Sequence, residues 1–195
     1  DSKLSSTATK IRYALYDIEL TILHSTSYEL LRKKLQSCYL CLITTPKEDL
    51  IEKVSLALAS GIKMVQYRCK SGTDLNRLNQ AREIHSICKE HEALFIINDR
   101  IDIALAVDAD GVHLGQEDLS TQIARSIIGE GKLLGRSTHS LEQLKNAERE
   151  GCDYLGVGPI HQTKNKLGRD SLGLDYVKEV SKSTCLPWFA IGGID

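Results

Sequence analysis

The sequence predicts an α/β protein of the (β/α)8 class, a TIM barrel, and three observations lead to that prediction. From Cys38 onward, short apolar runs alternate with longer amphipathic ones, as in parallel strands joined by helical crossovers. Polar side chains follow the carboxyl ends of strands around the whole series, where a barrel builds its site. The length of 195 residues, 42% of them hydrophobic, is enough for one core. A doubly wound open sheet is the alternative, but it would concentrate polar residues at one switch point.

The first 37 residues are predicted to form an N-terminal helical segment (1–37) that precedes the barrel (38–195). Residues 1–9 are polar and we expect them to fray. Apolar residues then recur at spacings of four, three and four, namely Ile11, Leu15, Ile18 and Ile22. This spacing predicts an amphipathic helix packed on the main domain, with a second helical stretch after His24.

Seven apolar runs are the predicted strands, with a predicted helix in each of the six intervals between them. The strands are YLCLI (39–43), IKMVQYR (62–68), ALFII (93–97), GVHL (111–114), LLG (133–135), DYLGVG (153–158) and WFAIG (188–192). The helices are expected at 48–60, through the seventies and eighties, and at 101–107, 120–129, 140–151 and 172–183.

The chain starts at Asp1, has Met64 as its one methionine, and has no eighth strand and helix, so we expect a piece of a longer protein. Closing the barrel would take about 35 more residues at this repeat length. We expect the 195 residues alone to be poorly active.

Charge and apolar content exclude several classes of function. The net charge of −1, from 25 basic and 26 acidic residues, gives no electrostatic footprint for nucleic acid or an anionic membrane. No apolar run approaches the roughly 20 residues that span a bilayer, and no secretion signal opens the chain. We therefore expect a cytoplasmic protein, and leave homo-oligomerisation open.

The six cysteines are predicted to be reduced thiols. Cys38 and Cys41 form a C-x-x-C motif in SCYLCLI (37–43), a stretch that is predicted to be extended strand, where positions three apart face opposite sides. Redox chemistry and a cysteine metal site are therefore not expected.

The stretch VQYRCK (65–70) gathers its polar side chains on one face of the second strand. In an extended chain Gln66, Arg68 and Lys70 share one side and face the barrel mouth. Two cations in one place, one of them a guanidinium fork, suit a phosphate or pyrophosphate. The alternative is a pair of charges that reach solvent at a strand end, and the stretch by itself favours neither.

Carboxylates follow the next two strands. Asp99 comes after the third strand in INDR, beside Asn98, and Asp118 follows the fourth in GQED. Hard oxygen ligands above a phosphate site suit Mg²⁺. Each acid has a helix-capping alternative, but capping does not explain why both lie near an anion-seeking strand.

Later loops supply further polar candidates. Ser137 and His139 follow the fifth strand, although Ser140 there could simply cap a helix, and Gly193 permits close backbone approach after the seventh. The loop after the sixth strand is a second candidate anion contact, or a solvated surface loop, and holds Thr163, Asn165 and Lys166.

Other side chains that could carry chemistry have simpler interpretations. His113 lies within a strand and is interpreted as a satisfied core histidine, and Cys69 as a buried, inert thiol facing away from the pocket. No zinc motif, nucleophile elbow, Walker loop or dinucleotide fingerprint is present.

These stretches together resemble the thiamine-phosphate synthase family over about residues 38–195. The resemblance rests on QYRCK, INDR, IALAVDADGVHLGQEDL, LGRSTHS, DYLGVGPIHQTKNK and AIGGI, in that order. It implies a TIM barrel that binds two small molecules with Mg²⁺. Hydroxymethylpyrimidine pyrophosphate is joined to thiazole phosphate, and pyrophosphate is released.

The resemblance also implies roles for individual residues. The pyrimidine pyrophosphate would be held by Gln66, Arg68, Lys70, Asn98, Ser137 and Lys166, of which Arg68, Lys70, Ser137 and Lys166 would serve catalysis. Asp99 and Asp118 would be the Mg²⁺ ligands. Thr163, Asn165 and Gly193 would contact the thiazole phosphate. Asn165 stands where the family usually has a hydroxyl, but an amide also donates hydrogen bonds.

Two other functions are compatible with the sequence. A related thiazole tautomerase shares the barrel and a histidine after the fifth strand, here His139, but does not need the Asp99 and Asp118 carboxylates. A non-catalytic phosphate-binding barrel would explain Arg68 and Lys70 equally well and would leave the acid pair unexplained.

Overall fold

Seven parallel strands form one sheet in the order in which they occur along the chain, in a computed structural model that describes residues 2–162 and 170–194. The strands are β1 Leu42–Ile43, β2 Met64–Tyr67, β3 Leu94–Asn98, β4 Gly111–Leu114, β5 Leu133–Thr138, β6 Tyr154–Val157 and β7 Trp188–Ala190. The helices are α1 Ser2–Gln36, α2 Leu50–Ala59, α3 Asp74–Glu90, α4 Ile101–Ala106, α5 Thr121–Ile128, α6 Leu141–Arg149 and α7 Gly173–Ser183. The predicted alternation of seven strands with six intervening helices is confirmed.

The five strands β2–β6 are buried on both faces, and the alternation of side chains divides the core in two. On one face Val65, Phe95 and Leu134 pack against the helices that follow the strands. On the other face, which we call the inner face, Met64, Leu94, Ile96, Leu133 and Tyr154 form a separate cluster that meets none of α2–α7. The polar residues of β2 that point away from the helices therefore lie on the inner face.

Helix α1 differs from its prediction. It is one continuous helix from Ser2, without fraying before residue 10 or a break after His24. Ile11, Leu15 and Ile18 are 56%, 59% and 56% exposed, so the predicted packing of this stripe on the main domain is wrong. For Ile22 the structure describes the helical backbone and not the side chain.

The reason is length. A helix of 35 residues is about 50 Å long, whereas a strand of six residues spans about 20 Å. Among the side chains of α1 that the structure describes, those that pack on the inner-face cluster belong to the last third of the helix, namely Tyr28, Leu31 and Leu35. Among the helices that the structure describes, α1 included, none is both long and apolar enough to cross a membrane.

A buried carboxylate holds α1 to the sheet. The Tyr28 hydroxyl donates to Asp153, whose other oxygen accepts from Arg125 Nη2 at 2.8 Å and from the Leu134 amide at 2.7 Å. Burial, followed by the bond to Asp153, raises the pKa of Tyr28 to about 12. One side chain thus joins α1, α5, β5 and the segment entering β6.

The cysteines require a smaller correction. Cys38 lies in the turn after α1 and not on a strand, and both Cys38 and Cys41 pack against the inner-face cluster, so they do not face opposite sides. All six cysteines fall within the described residues, and all six are free thiols in the structure. Burial raises the pKa of Cys41 to about 12 and that of Cys38 to about 11, which disfavours reactive thiolates.

The ring of Tyr154 lies directly over Gly135, and this contact predicts a large effect of adding one methyl group. A Cβ on Gly135 would stand 2.1 Å from Tyr154 Cζ. We expect Gly135→Ala to lower the free energy of unfolding by about 1–3 kcal/mol through overpacking, measured by urea unfolding. Gly131→Ala is the matched control, because no atom lies within 4 Å of its Cβ position. Equal stability of the two variants would contradict the prediction.

Candidate active site at the carboxyl ends of the strands

The polar face of VQYRCK points to the inner side of the sheet, as predicted, while Tyr67 and Cys69 pack on the helical side. Gln66 is buried and its side chain hydrogen-bonds Tyr154. Arg68 follows the end of β2, and its amide donates to Thr44 Oγ1 at 2.9 Å. The Lys70 ammonium lies 3.8 Å from the Asp99 carboxylate. The two cations that follow β2 therefore stand beside the acid that follows β3.

Asp99 and Asp118 meet at this point. Their carboxyl groups are close enough to hydrogen-bond each other, and burial, together with the charge of Asp118, raises the pKa of Asp99. The opposing influences are the positive charges of Lys70 and Arg68. Two acids and two cations from three successive strand ends thus share one location.

Local backbone geometry aims both carboxylates. Asp99 has a φ of 64°, in the left-handed region that aspartate tolerates better than most residues, and its amide donates to the His113 carbonyl at 2.9 Å. Asp118 Oδ2 accepts from the Gly115 amide at 2.6 Å. The capping alternative does not hold, since α5 is capped by Ser120 and α4 begins after Arg100.

The acid pair fits a magnesium ion. Among the described residues no three His, Cys, Asp or Glu side chains gather into a metal cluster. Mg²⁺ needs no such cluster, because it keeps several waters and is commonly bound by one or two carboxylates together with substrate phosphates. A divalent cation between Asp99 and Asp118 would also relieve the repulsion that raises the pKa of Asp99. Asn98, the last residue of β3, directly precedes Asp99 in the chain.

A buried polar chain lies on the inner face and was missed by the sequence interpretation. His113 Nε2 lies 2.9 Å from Ser137 Oγ, and His113 Nδ1 lies 3.2 Å from the Tyr154 hydroxyl, which also bonds Gln66. His113 is satisfied, as predicted, but by two residues of the candidate site. A signal was available, because the inner-face positions that neighbour these rings are glycines, Gly135 and Gly156, which leave room for large side chains.

The remaining candidates lie in the loops after β5, β6 and β7. Gly193 has a φ of 69°, and a Cβ there would stand 2.7 Å from His161 Cβ, so close approach of its backbone to the loop after β6 requires glycine. Thr163, Asn165 and Lys166 lie outside the described residues. Near the end of β5, Ser140 caps α6, which confirms its capping role, and His139 Nδ1 bonds the Gly158 carbonyl.

Comparison with known proteins identifies the group to which this arrangement belongs. A sequence model of the thiamine monophosphate synthase family matches residues 40–195 of the chain. The chain belongs to the thiamine monophosphate synthase family. Its similarity extends to individual members, since a thiamine-phosphate synthase of Prochlorococcus marinus (strain MIT 9303) is 58% identical over 200 residues, covering 100% of this chain and 57% of that protein.

Other relatives agree with this family. The thiamine-phosphate synthase of Synechocystis sp. (strain ATCC 27184 / PCC 6803 / Kazusa) is 45% identical over 195 residues, covering 100% of this chain and 56% of its own length. The chain therefore spans little more than half the length of these curated relatives.

Solved structures extend the likeness to the fold. Thiamine phosphate pyrophosphorylase from Pyrococcus furiosus superposes with a TM-score of 0.74 at 36% identity, over 85% of this chain and 78% of that one. A 3-dehydroquinate dehydratase from Geobacillus kaustophilus, at 16% identity, has a TM-score of 0.57 over 78% of this chain and 72% of its own, which shows likeness of fold alone. The chain is thus a member of the thiamine monophosphate synthase family, and two acids and two cations converge at the carboxyl ends of its strands.

Proposed function

We propose that the full-length protein is a thiamine-phosphate synthase. It would couple 4-amino-2-methyl-5-hydroxymethylpyrimidine pyrophosphate to thiazole phosphate, forming a C–N bond with pyrophosphate as the leaving group. The observation that carries the proposal is the meeting of Asp99 and Asp118 beside Lys70 and Arg68. Family membership and the 45–58% identity to proteins of that name support it.

The charges at the strand ends suit departure of a diphosphate. As the C–O bond breaks, negative charge grows on the leaving group, and preorganised cations stabilise it. The Arg68 guanidinium would bind two diphosphate oxygens as a fork and the Lys70 ammonium a third, with Asn98 and Lys166 as further donors. Mg²⁺, held by Asp99 and Asp118, would supply additional neutralisation of diphosphate charge when bound.

The site does not need a general base. An electron-rich aminopyrimidine tolerates the cation left when the diphosphate departs, and the attacking thiazole nitrogen carries no proton. We propose that the pyrimidine lies against Gln66 and Ser137, where His113 and Tyr154 complete a buried polar wall. Contacts of Thr163, Asn165 and Gly193 with the thiazole phosphate remain predictions.

Several features of the whole protein are part of the same proposal. The sheet begins at β1 and ends at β7. An eighth strand between these two edges would close a (β/α)8 barrel. The division into a helical segment (1–37) and a barrel (38–195) is also proposed, as are a cytoplasmic location and small-molecule partners only. Homo-oligomerisation remains open.

One assay separates this function from its alternatives. The full-length protein is mixed with both substrates and Mg²⁺, and thiamine phosphate and pyrophosphate are measured by chromatography. We expect both products, and neither when Mg²⁺ is chelated. Isomerisation of a thiazole without coupling would indicate the tautomerase, and substrate binding without any product would indicate a phosphate-binding barrel. Either result would overturn the proposal.

A further inference from the structure

The turn between β4 and α5 is tied to the neighbouring strand by a side chain with no role so far. Gln116 Nε2 donates to the Ser137 carbonyl at 2.6 Å. Two residues further on is Asp118, whose carboxylate accepts from the Gly115 amide at 2.6 Å and whose amide donates to the Gly115 carbonyl at 3.3 Å. The turn is therefore a short closed unit, and the Gln116 side chain ties it to β5, beside a second tie in which the Arg136 guanidinium donates to the Leu119 carbonyl at 2.7 Å.

The bond between Gln116 and Ser137 lies just past the point where β4 and β5 stop pairing. The pairing of β4 with β5 ends at Leu114 and Arg136, so the next carbonyl of β5, that of Ser137, lies beyond the last strand pair. The side-chain amide of Gln116 donates to this carbonyl in place of a backbone N–H of a continued β4 strand, and it thereby extends the β4–β5 connection into the turn. Ser137 is also the residue whose hydroxyl bonds His113.

We propose that Gln116 is a positioning residue that fixes the Asp118 carboxylate relative to Ser137. The inference rests on the proposed function, in which Asp118 lies at the diphosphate end of the pyrimidine substrate and Ser137 at its ring. Gln116 touches neither substrate nor metal. It sets the spacing between the two ends of the site through a neutral hydrogen bond, so it adds no third negative charge beside Asp99 and Asp118.

The test is Gln116→Met in the full-length protein, which keeps the length of the side chain and removes the donor. Gln122→Met is the matched control, because Gln122 is exposed on α5. Loss of one neutral hydrogen bond corresponds to roughly a three- to tenfold change. We expect the half-saturating Mg²⁺ concentration of Gln116→Met to rise by about that factor, with a fall in kcat and an unchanged melting temperature. Gln122→Met should match the wild type.

A second measurement keeps this inference separate from the proposed function. Calorimetric titration of inorganic pyrophosphate at increasing Mg²⁺ concentrations reports the geometry of the acid site without product formation. If the wild type makes no thiamine phosphate, the proposed function fails and this titration alone judges Gln116. A Mg²⁺ dependence in Gln116→Met equal to that of the wild type, whether or not the melting temperature falls, would overturn the positioning role.

Discussion

Replacing Asp118 with asparagine is expected to lower Mg²⁺-dependent formation of thiamine phosphate by about 100- to 1000-fold, the usual cost of removing a group that stabilises charge in the transition state. The asparagine oxygen can still accept from the Gly115 amide, so the turn should keep its shape. Removal of one of two neighbouring carboxylates should leave the metal-free protein at least as stable as the wild type, because Asp99 and Asp118 repel each other. Activity is measured by product chromatography and stability by thermal unfolding.

Asp175→Asn provides the control for this prediction. Its carboxylate is exposed in the first turn of α7 and pairs with Lys178 at 2.8 Å, so the substitution changes the same charge at a carboxylate whose ion-pair partner is not a residue of the candidate site. We expect normal activity from this variant. Pyrophosphate release by Asp118→Asn at the wild-type rate would remove Asp118 from the metal site.

The largest effect on stability is expected from Asp153→Ala. The substitution leaves the Arg125 guanidinium, itself mostly buried, without its carboxylate partner, together with the Leu134 amide and the Tyr28 hydroxyl. Breaking a buried ion pair by removing one partner costs about 3–5 kcal/mol. Urea unfolding followed by circular dichroism measures the change in the free energy of unfolding.

Asp108→Asn is the control for Asp153, because Asp108 has a φ of 53°, in the left-handed region that asparagine tolerates better than alanine. Asp108 also pairs with a cation, at 2.6 Å from Lys132, but its side chain is 83% exposed, whereas that of Asp153 is 5% exposed. Exposed pairs contribute about 0–1 kcal/mol. Similar losses in the free energy of unfolding for the two variants would show that burial does not determine how strongly Asp153 holds α1 to the sheet.

Much of the candidate site could be predicted because parallel strands impose simple rules. Alternation along VQYRCK placed Gln66 on the inner face, and the shared direction of the strands placed Asp99 and Asp118 at the same edge. These inferences need only the period of a strand and the order of strands along the chain. The convergence of the acids beside Lys70 agrees with both.

Other features depend on register and on tertiary contacts, which the sequence does not express. The chain from Gln66 through Tyr154 and His113 to Ser137 requires that Gly135 stands between His113 and Tyr154 in the sheet. The fate of the Ile11 stripe depends on where α1 meets the sheet, because helical periodicity predicts a face and not its partner. Cys38 was misplaced for a similar reason, since an apolar run does not show where the strand within it begins.

The central claim is that Asp99 and Asp118 hold a magnesium ion that binds diphosphate together with Arg68 and Lys70. Calorimetric titration of inorganic pyrophosphate into the full-length protein, with Mg²⁺ and with Mg²⁺ chelated, tests it most directly. We predict tight binding only when Mg²⁺ is present, and loss of this Mg²⁺ dependence in the Asp99→Asn, Asp118→Asn double variant. Pyrophosphate binding that is equally tight with and without Mg²⁺ in the wild type would contradict the claim.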